Sequence, residues 1–370
     1  MAFRIMIFDW NADGLKLCET SLQNKADDRR SGLQFFRRAK CTAPDFFSAI
    51  TQLIRDNQVS LVLFSTQEAI KESYFHSEFL PAIMKPLGYS LLKSDEMEGM
   101  RGPNTDASAI RLSIYAQNDV VKELRSQEAN LVNILKDDDA QREAICTRGA
   151  RTSGVIGSYV QHREYGIFLF MAAYLPPGDD LTLGRYTFDQ YRESILNVNR
   201  DCLSSILRGF TSNISPDRII LFGDLNYVNN IPDKYPDDVA RELSADLSLE
   251  FLHDLYIKYD ELYKARQETF LQGFKEGVND QGPMFMPTWK LRLDRSHLCS
   301  PLDSRLALPH NQCFAAAARG EMPSWRDRII YKEIPGGKYS LVCEYYNRFD
   351  VNNINKSTHA GVIGVFHLST

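Results

Sequence analysis

Short apolar runs of strand length recur along the chain. Residues 3–10 (FRIMIFDW), 59–65 (VSLVLFS), 107–116 (ASAIRLSIYA) and 154–160 (GVIGSYV) are rich in Val, Ile, Phe and Tyr, with turn residues at their borders. So are 165–175 (YGIFLFMAAYL), 217–223 (DRIILFG), 326–332 (RDRIIYK) and 361–368 (GVIGVFHL). Each reads as a β-strand. Between them, 44–57, 118–145, 188–210 and most of 236–274 place apolar residues at helical spacing. Strands alternate with helices, and hairpin-like neighbours also occur at 107–116, 154–160 and 165–175. That mixture predicts two mixed sheets packed face to face with helices outside. There is no internal repeat and no low-complexity linker, so 1–370 reads as a single α/β domain. The charge run at 136–143 (KDDDAQRE) reads as a solvated face.

Composition narrows this picture. With 370 residues, 44% hydrophobic and 25% charged, the chain is an ordinary globular one that can bury a large core. A formal net charge of −5 disfavours an obligate nucleic-acid binder, so no nucleic-acid partner is expected. The cysteines number 7, an odd count with no CxxC pair, which argues against a disulfide framework or zinc site and for a reducing compartment. The N-terminal apolar run is short and interrupted by Arg4 and Asp9, unlike a signal peptide. No stretch reaches the roughly 18 apolar residues of a membrane span, and the final HLST lacks a prenylation cysteine. A soluble, cytoplasmic protein is expected.

The polar residues at the strand ends carry the chemistry. The first strand ends at Asn11, and the second at Gln67 and Glu68. The run IILFGDLNYVNN presents Asp224 and Asn226 two apart, Asp327 and Arg328 stand at the entry of another strand, and His359 precedes the last one. Alone, GDLN could simply stop a strand, because Gly, Asp and Asn tolerate tight turns. Asp327 and Arg328 could be a local ion pair. Glu68 could be a surface residue, and His359 a structural one. Together, however, these residues form a consistent set. A carboxylate such as Glu68 can hold Mg2+, an Asp can position or deprotonate water, and amides can donate to phosphate oxygens. An imidazolium held by a carboxylate can stabilise a transferring phosphoryl group. The set suits metal-assisted phosphate-ester hydrolysis.

In order along the chain, WN, QE, GDLNY, PTWK, PSWRDRI and STH resemble the motifs of the inositol polyphosphate 5-phosphatases, of the endonuclease/exonuclease/phosphatase superfamily. That family shows Trp-Asn, Gln-Glu, Gly-Asp-Leu-Asn-Tyr, Pro-Thr-Tyr-Lys, Pro-Ser-Trp-Cys-Asp-Arg-Ile and Ser-Asp-His. The resemblance spans residues 5 to 368 and is firmest from 217 to 332. It implies a DNase I-like four-layer α/β sandwich and Mg2+-dependent removal of the 5-phosphate from soluble inositol phosphates or phosphoinositides. It further implies that Glu68 holds the metal with Asn11 close by, Asp224 activates water and Asn226 holds the scissile phosphate. His359 would stabilise the phosphoryl oxygens with Asp327 fixing its tautomer. Lys290 would contact a second ring phosphate, and Arg328 would support the substrate site. Contact with a membrane would be peripheral; the oligomeric state is unknown.

The chain departs from that pattern in places. Tyr174, in AAYLPPG, stands where the family has the His of Asn-Ser-His-Leu, as in apurinic endonucleases, and a phenol can still donate to phosphate. Thr358 replaces a carboxylate near the metal, which should weaken Mg2+ binding. The family's Asn-Lys-Gly-Gly-Val is RTSGV here, leaving Arg148 or Arg151 in place of the lysine, and Glu321 precedes PSW where a basic pair is usual. Two alternatives follow: a nuclease-like phosphodiesterase on the same fold, which Tyr174 favours, and an inositol-phosphate-binding module without turnover, which Thr358 favours. A module would bind inositol phosphates and release no phosphate.

Overall fold

The computed structural model describes residues 3–12, 19–20, 39–40, 44–70, 75–102, 105–125, 143–145, 154–175, 204, 207–208, 215–231, 238–239, 242–243, 248–268, 271–289, 291, 322–349 and 357–370. In chain order the strands are β1 (Arg4–Asn11), β2 (Glu19–Thr20), β3 (Ala39–Lys40), β4 (Leu61–Ile70), β5 (Tyr89–Gly102), β6 (Thr105–Gln117) and β7 (Glu143–Ile145). They continue with β8 (Gly154–His162), β9 (Gly166–Tyr174), β10 (Arg218–Asp224), β11 (Lys275–Glu276), β12 (Asp327–Glu333), β13 (Ser340–Phe349) and β14 (Gly361–Ser369). The described helices are α1 (Pro44–Asn57), α2 (Leu80–Met84), α3 (Asn118–Arg125), α4 (Leu249–Tyr259) and α5 (Glu261–Glu268). A π-helical turn, Phe75–Phe79, leads into α2.

Two six-stranded mixed sheets result, ordered β13-β14-β1-β4-β6-β5 and β11-β12-β10-β9-β8-β7. Each is built the same way about a central strand. β1 lies antiparallel to β14 and parallel to β4; β10 lies antiparallel to β12 and parallel to β9. The sheets face each other across one apolar layer. Side chains alternate across a strand, so Ile5, Ile7, Leu61 and Leu63 meet Ile220 and Phe222 there. The opposite parity builds the outer layers. Met6, Phe8, Val62 and Phe64 pack under α1 and α2, while Ile219 and Leu221 pack with Leu262 of α5. This is the expected arrangement of two mixed sheets with helices outside.

All eight strand readings are present. The helical reading of 118–145 holds only for α3 among the described residues. Its end, Glu143–Ile145, is instead an edge strand paired with Gly154–Ile156. Residues 107–116 are also no hairpin partner of 154–160, because β6 and β8 lie in different sheets. Most of the 188–210 stripe falls outside the described residues. No helix among the described residues is long and apolar enough to cross a membrane.

Candidate active site

At one end of the inter-sheet layer the apolar pattern gives way to polar side chains without a change of parity. Continuing the inward face of Ile5 and Ile7, β1 presents Asp9 and Asn11; β4 presents Ser65 and Gln67 beyond Leu61 and Leu63. From the facing sheet, Tyr174 follows Phe170 and Ala172, and Asp224 follows Ile220 and Phe222. Asp224 is paired in register with both Tyr174 and Asp327. The central strands β1 and β10 thus deliver their last residues to one place. Gly223 enables this. Its φ of +137° suits glycine, and a Cβ there would collide with the Ala173 carbonyl of the parallel neighbour.

Asp224 is fully enclosed and its two oxygens are both held. Asn11 Nδ2 donates to Oδ2 at 2.9 Å across the sheets, and the Asn226 backbone N–H donates to Oδ1 at 3.1 Å. Asn226 adopts the left-handed conformation, φ +53°, that closes this Asx turn. Its amide is oriented from both ends: Nδ2 donates to Leu175 O at 2.6 Å, and Oδ1 accepts from Arg326 at 2.9 Å. Arg326 in turn lies 3.2 Å over the Trp289 ring. Thr288 Oγ1 receives the backbone N–H groups of Arg326 and Asp327, both at 3.2 Å. This gives the PTW segment a role in setting the strand that carries Asp327.

His359 Nδ1 lies 2.9 Å from Asp327 Oδ2. Its segment is fastened to β1, since Ser357 Oγ donates to Asn11 O at 2.8 Å and Trp10 Nε1 donates to His359 O at 3.3 Å. Burial works to lower the imidazole pKa, but the charge and hydrogen bond of Asp327 outweigh it and raise it to about 9. Burial pushes Asp224 up to about 6; the Asp327 charge adds to that rise, while His359 and Arg326 oppose it. The site therefore pairs a protonated imidazole with a carboxylate poised near neutrality.

Tyr174 donates from its phenol to Glu68 Oε1 at 2.8 Å. Burial first, and then the Glu68 charge, hold that proton on well above the usual phenol range. Glu68 is half-buried with φ +51°. Asp224, Asp327 and His359 each offer a ligand atom, all within 4.8 Å of one another. A protonated imidazole does not ligate, so the carboxylates are the groups that fit a hard divalent cation. Asp327 Oδ1, buried with no hydrogen-bond partner among the described residues, is an acceptor of that kind.

The structure thus brings together Asn11, Asp224, Asn226, Asp327 and His359, with Tyr174 and Glu68 beside them. Arg328 is the exception. It faces the opposite side of β12 from Asp327, so the two cannot form a local pair. Its guanidinium is fully buried against Asp260, at 2.9 and 3.2 Å, and Glu276, at 2.6 Å to each oxygen. The expected substrate contact is replaced by a structural one. Lys290 and Arg151 lie outside the described residues. Two further residues belong to the site. Asp9 stands two before Asn11 on the same face, and Arg326 immediately precedes Asp327. Strand parity is the signal that finds Asp9.

A model of Endonuclease/Exonuclease/phosphatase family 2 matches residues 154–365. A Xenopus laevis phosphatidylinositol 3,4,5-trisphosphate 5-phosphatase 1 is 23% identical over 252 residues, covering 64% of this chain and 22% of that protein. The chain thus spans about a fifth of the length of this curated relative. A Cimex nitrophorin, solved as its ferrous NO complex, superposes with a TM-score of 0.57 at 15% identity, covering 100% of this chain and 99% of that one. That likeness is one of fold. The family match takes in more than half of the chain, including Tyr174, Asp224, Asn226, Asp327 and His359, and the protein accordingly belongs to Endonuclease/Exonuclease/phosphatase family 2.

Proposed function

We propose that this member of a phosphoester-hydrolase superfamily removes the 5-phosphate from an inositol polyphosphate or phosphoinositide, with Mg2+ as cofactor and water as nucleophile. The observation that carries the reading is the opposition of Asp224 to the His359–Asp327 pair. Asp224, held by Asn11 and the Asn226 backbone, orients a water and accepts its proton. His359, protonated because Asp327 stands behind it, donates to the phosphoryl oxygens as their charge builds. Asn226, fixed by Arg326, orients the ester. Glu68, with Asn11 close by, would hold Mg2+, which when bound supplies Lewis acidity toward the phosphate. The name of the Xenopus relative supports a phosphoinositide substrate, and the peripheral membrane contact that a lipid substrate requires belongs to the same proposal.

The test is phosphate release from inositol 1,4,5-trisphosphate and from phosphatidylinositol 4,5-bisphosphate, with Mg2+ and with EDTA. Mg2+-dependent release from either is expected, and the preferred substrate separates soluble from lipid-borne. A second reading, ligand binding without turnover, is favoured by the engagement of Glu68 with Tyr174 and by Thr358. Tight binding of inositol phosphates with no release would select it.

A further inference from the structure

Resting on the reading of this site as a metal-assisted phosphatase, a further inference concerns what holds the cation. Three fully buried oxygen acceptors have no hydrogen-bond partner among the described residues at this end of the sandwich: Asp9 Oδ2, Gln67 Oε1 and Asp327 Oδ1. Gln67 has a fixed amide. Its Nε2 donates to Asp9 Oδ1 at 2.7 Å and to Ser65 Oγ at 2.8 Å, so the oxygen is the atom left over. Both Asp9 and Gln67 continue the inward face of their strands, toward Asp224 and Asp327. Buried acceptors grouped with carboxylates are satisfied by a cation and by neither an anion nor hydrocarbon.

The placement of Thr358 gives Asp9 its purpose. Ser357 and His359 are both bonded to the end of β1, through Asn11 O and Trp10 Nε1. Thr358 lies between them, where the resembling pattern carries an Asp. On the other side, one oxygen of Glu68 is already taken by Tyr174. We propose that Asp9, together with Gln67 Oε1, is a ligand of the divalent cation of this site, supplying from β1 the carboxylate that is absent at position 358.

The test is Mn2+ binding to the full chain by calorimetry, with thermal melting in Mn2+ and in EDTA, for wild type and Asp9→Asn. Wild type is expected to bind Mn2+ and to melt higher in its presence. Asp9→Asn is expected to bind at least about tenfold more weakly, the scale of losing a group that supports a metal, and to lose the Mn2+-dependent rise. In EDTA it should melt no lower than wild type, because a neutral amide replaces a buried carboxylate. Wild-type Mn2+ affinity in Asp9→Asn overturns the proposal, as does a wild-type chain that binds no Mn2+. Should Asp9→Asn not fold, Gln67→Met carries the same expectation, and unchanged binding there overturns it equally. Mg2+-dependent phosphate release combined with unchanged Mn2+ affinity in Asp9→Asn removes Asp9 and leaves the phosphatase reading standing. Loss of Mn2+ binding in Asp9→Asn without phosphate release from any inositol phosphate does the reverse.

Discussion

Asn11 at the end of β1 donates to Asp224 at the end of β10, joining the central strands of the two sheets by one buried hydrogen bond of 2.9 Å. The bond keeps the carboxylate in place and leaves it an acceptor. Asn11→Ala deletes it and leaves Asp224 Oδ2 unpaired. The expected outcome is a fall in kcat of roughly 10- to 100-fold, on the scale of removing a positioning contact, with KM changed less. Steady-state kinetics on inositol 1,4,5-trisphosphate check this, and an unchanged kcat would show that the bond does not position Asp224.

The two shifted pKa values set a pH window. Asp224 must be ionised to accept a proton, so activity falls as pH drops through about 6. His359 must be protonated to donate, so activity falls as pH rises through about 9. A bell-shaped profile of kcat/KM is expected. The Asp327 carboxylate is what raises His359, so Asp327→Asn should move the alkaline limb down toward the ordinary imidazole value near 6.5. An alkaline limb that stays put in Asp327→Asn would assign that limb to another group.

Arg328 is expected to matter for folding and not for turnover. Its guanidinium is the common partner of buried Asp260 and Glu276. Arg328→Met takes the paired cation from Asp260 and leaves Glu276 with Arg266 at 3.5 Å, and should cost about 3–5 kcal/mol of stability, as breaking a buried pair does. Denaturant melts measure the loss. The activity of the variant that remains folded should match wild type within about twofold, since surface and structural changes away from the chemistry leave kcat/KM near its original value. A raised KM at full stability would instead make Arg328 a substrate contact.

A histidine outside the site contributes to acid sensitivity. His76 is enclosed between Thr66 Oγ1, at 3.0 Å, and Ser113 Oγ, at 2.7 Å. Burial, helped by the Arg111 charge, lowers its pKa to about 3. Between that value and 6.5 the unfolded chain holds a proton at this residue that the folded protein does not. The contribution of His76 to stability is therefore constant above pH 6.5 and declines as pH falls through this window. His76→Gln should flatten the decline in urea melts taken from pH 7 to 4; an identical slope would place the acid sensitivity elsewhere.

What the chain reveals before folding follows from burial. The eight apolar runs that read as strands belong to sheet interiors, where most side chains are buried. β5 and β13 escape notice because each is the outermost strand of the first sheet, and their exposed faces carry residues such as Ser94, Glu96 and Glu344 that break up the apolar run. Asp224, Asn226, Asp327, Asn11 and His359 are legible because they stand at the borders of clean runs. Asp9 is not, because a charge inside an apolar run looks like an interruption until its parity with Ile5 and Ile7 is followed. Arg326 is obscured by the neighbouring Asp327–Arg328 doublet, which suggests a local pair that strand alternation forbids. Arg328 itself misleads for another reason: its partners, Asp260 and Glu276, are distant in sequence and only the fold brings them together.

The most direct measurement compares wild type with Asp224→Asn for phosphate release from inositol 1,4,5-trisphosphate and phosphatidylinositol 4,5-bisphosphate in Mg2+, with thermal melts alongside. The account predicts Mg2+-dependent release by wild type and a loss of about 10²- to 10⁴-fold in Asp224→Asn, the range of a lost general base, at a melting temperature at least equal to wild type. Release at the wild-type rate by a folded Asp224→Asn would contradict it.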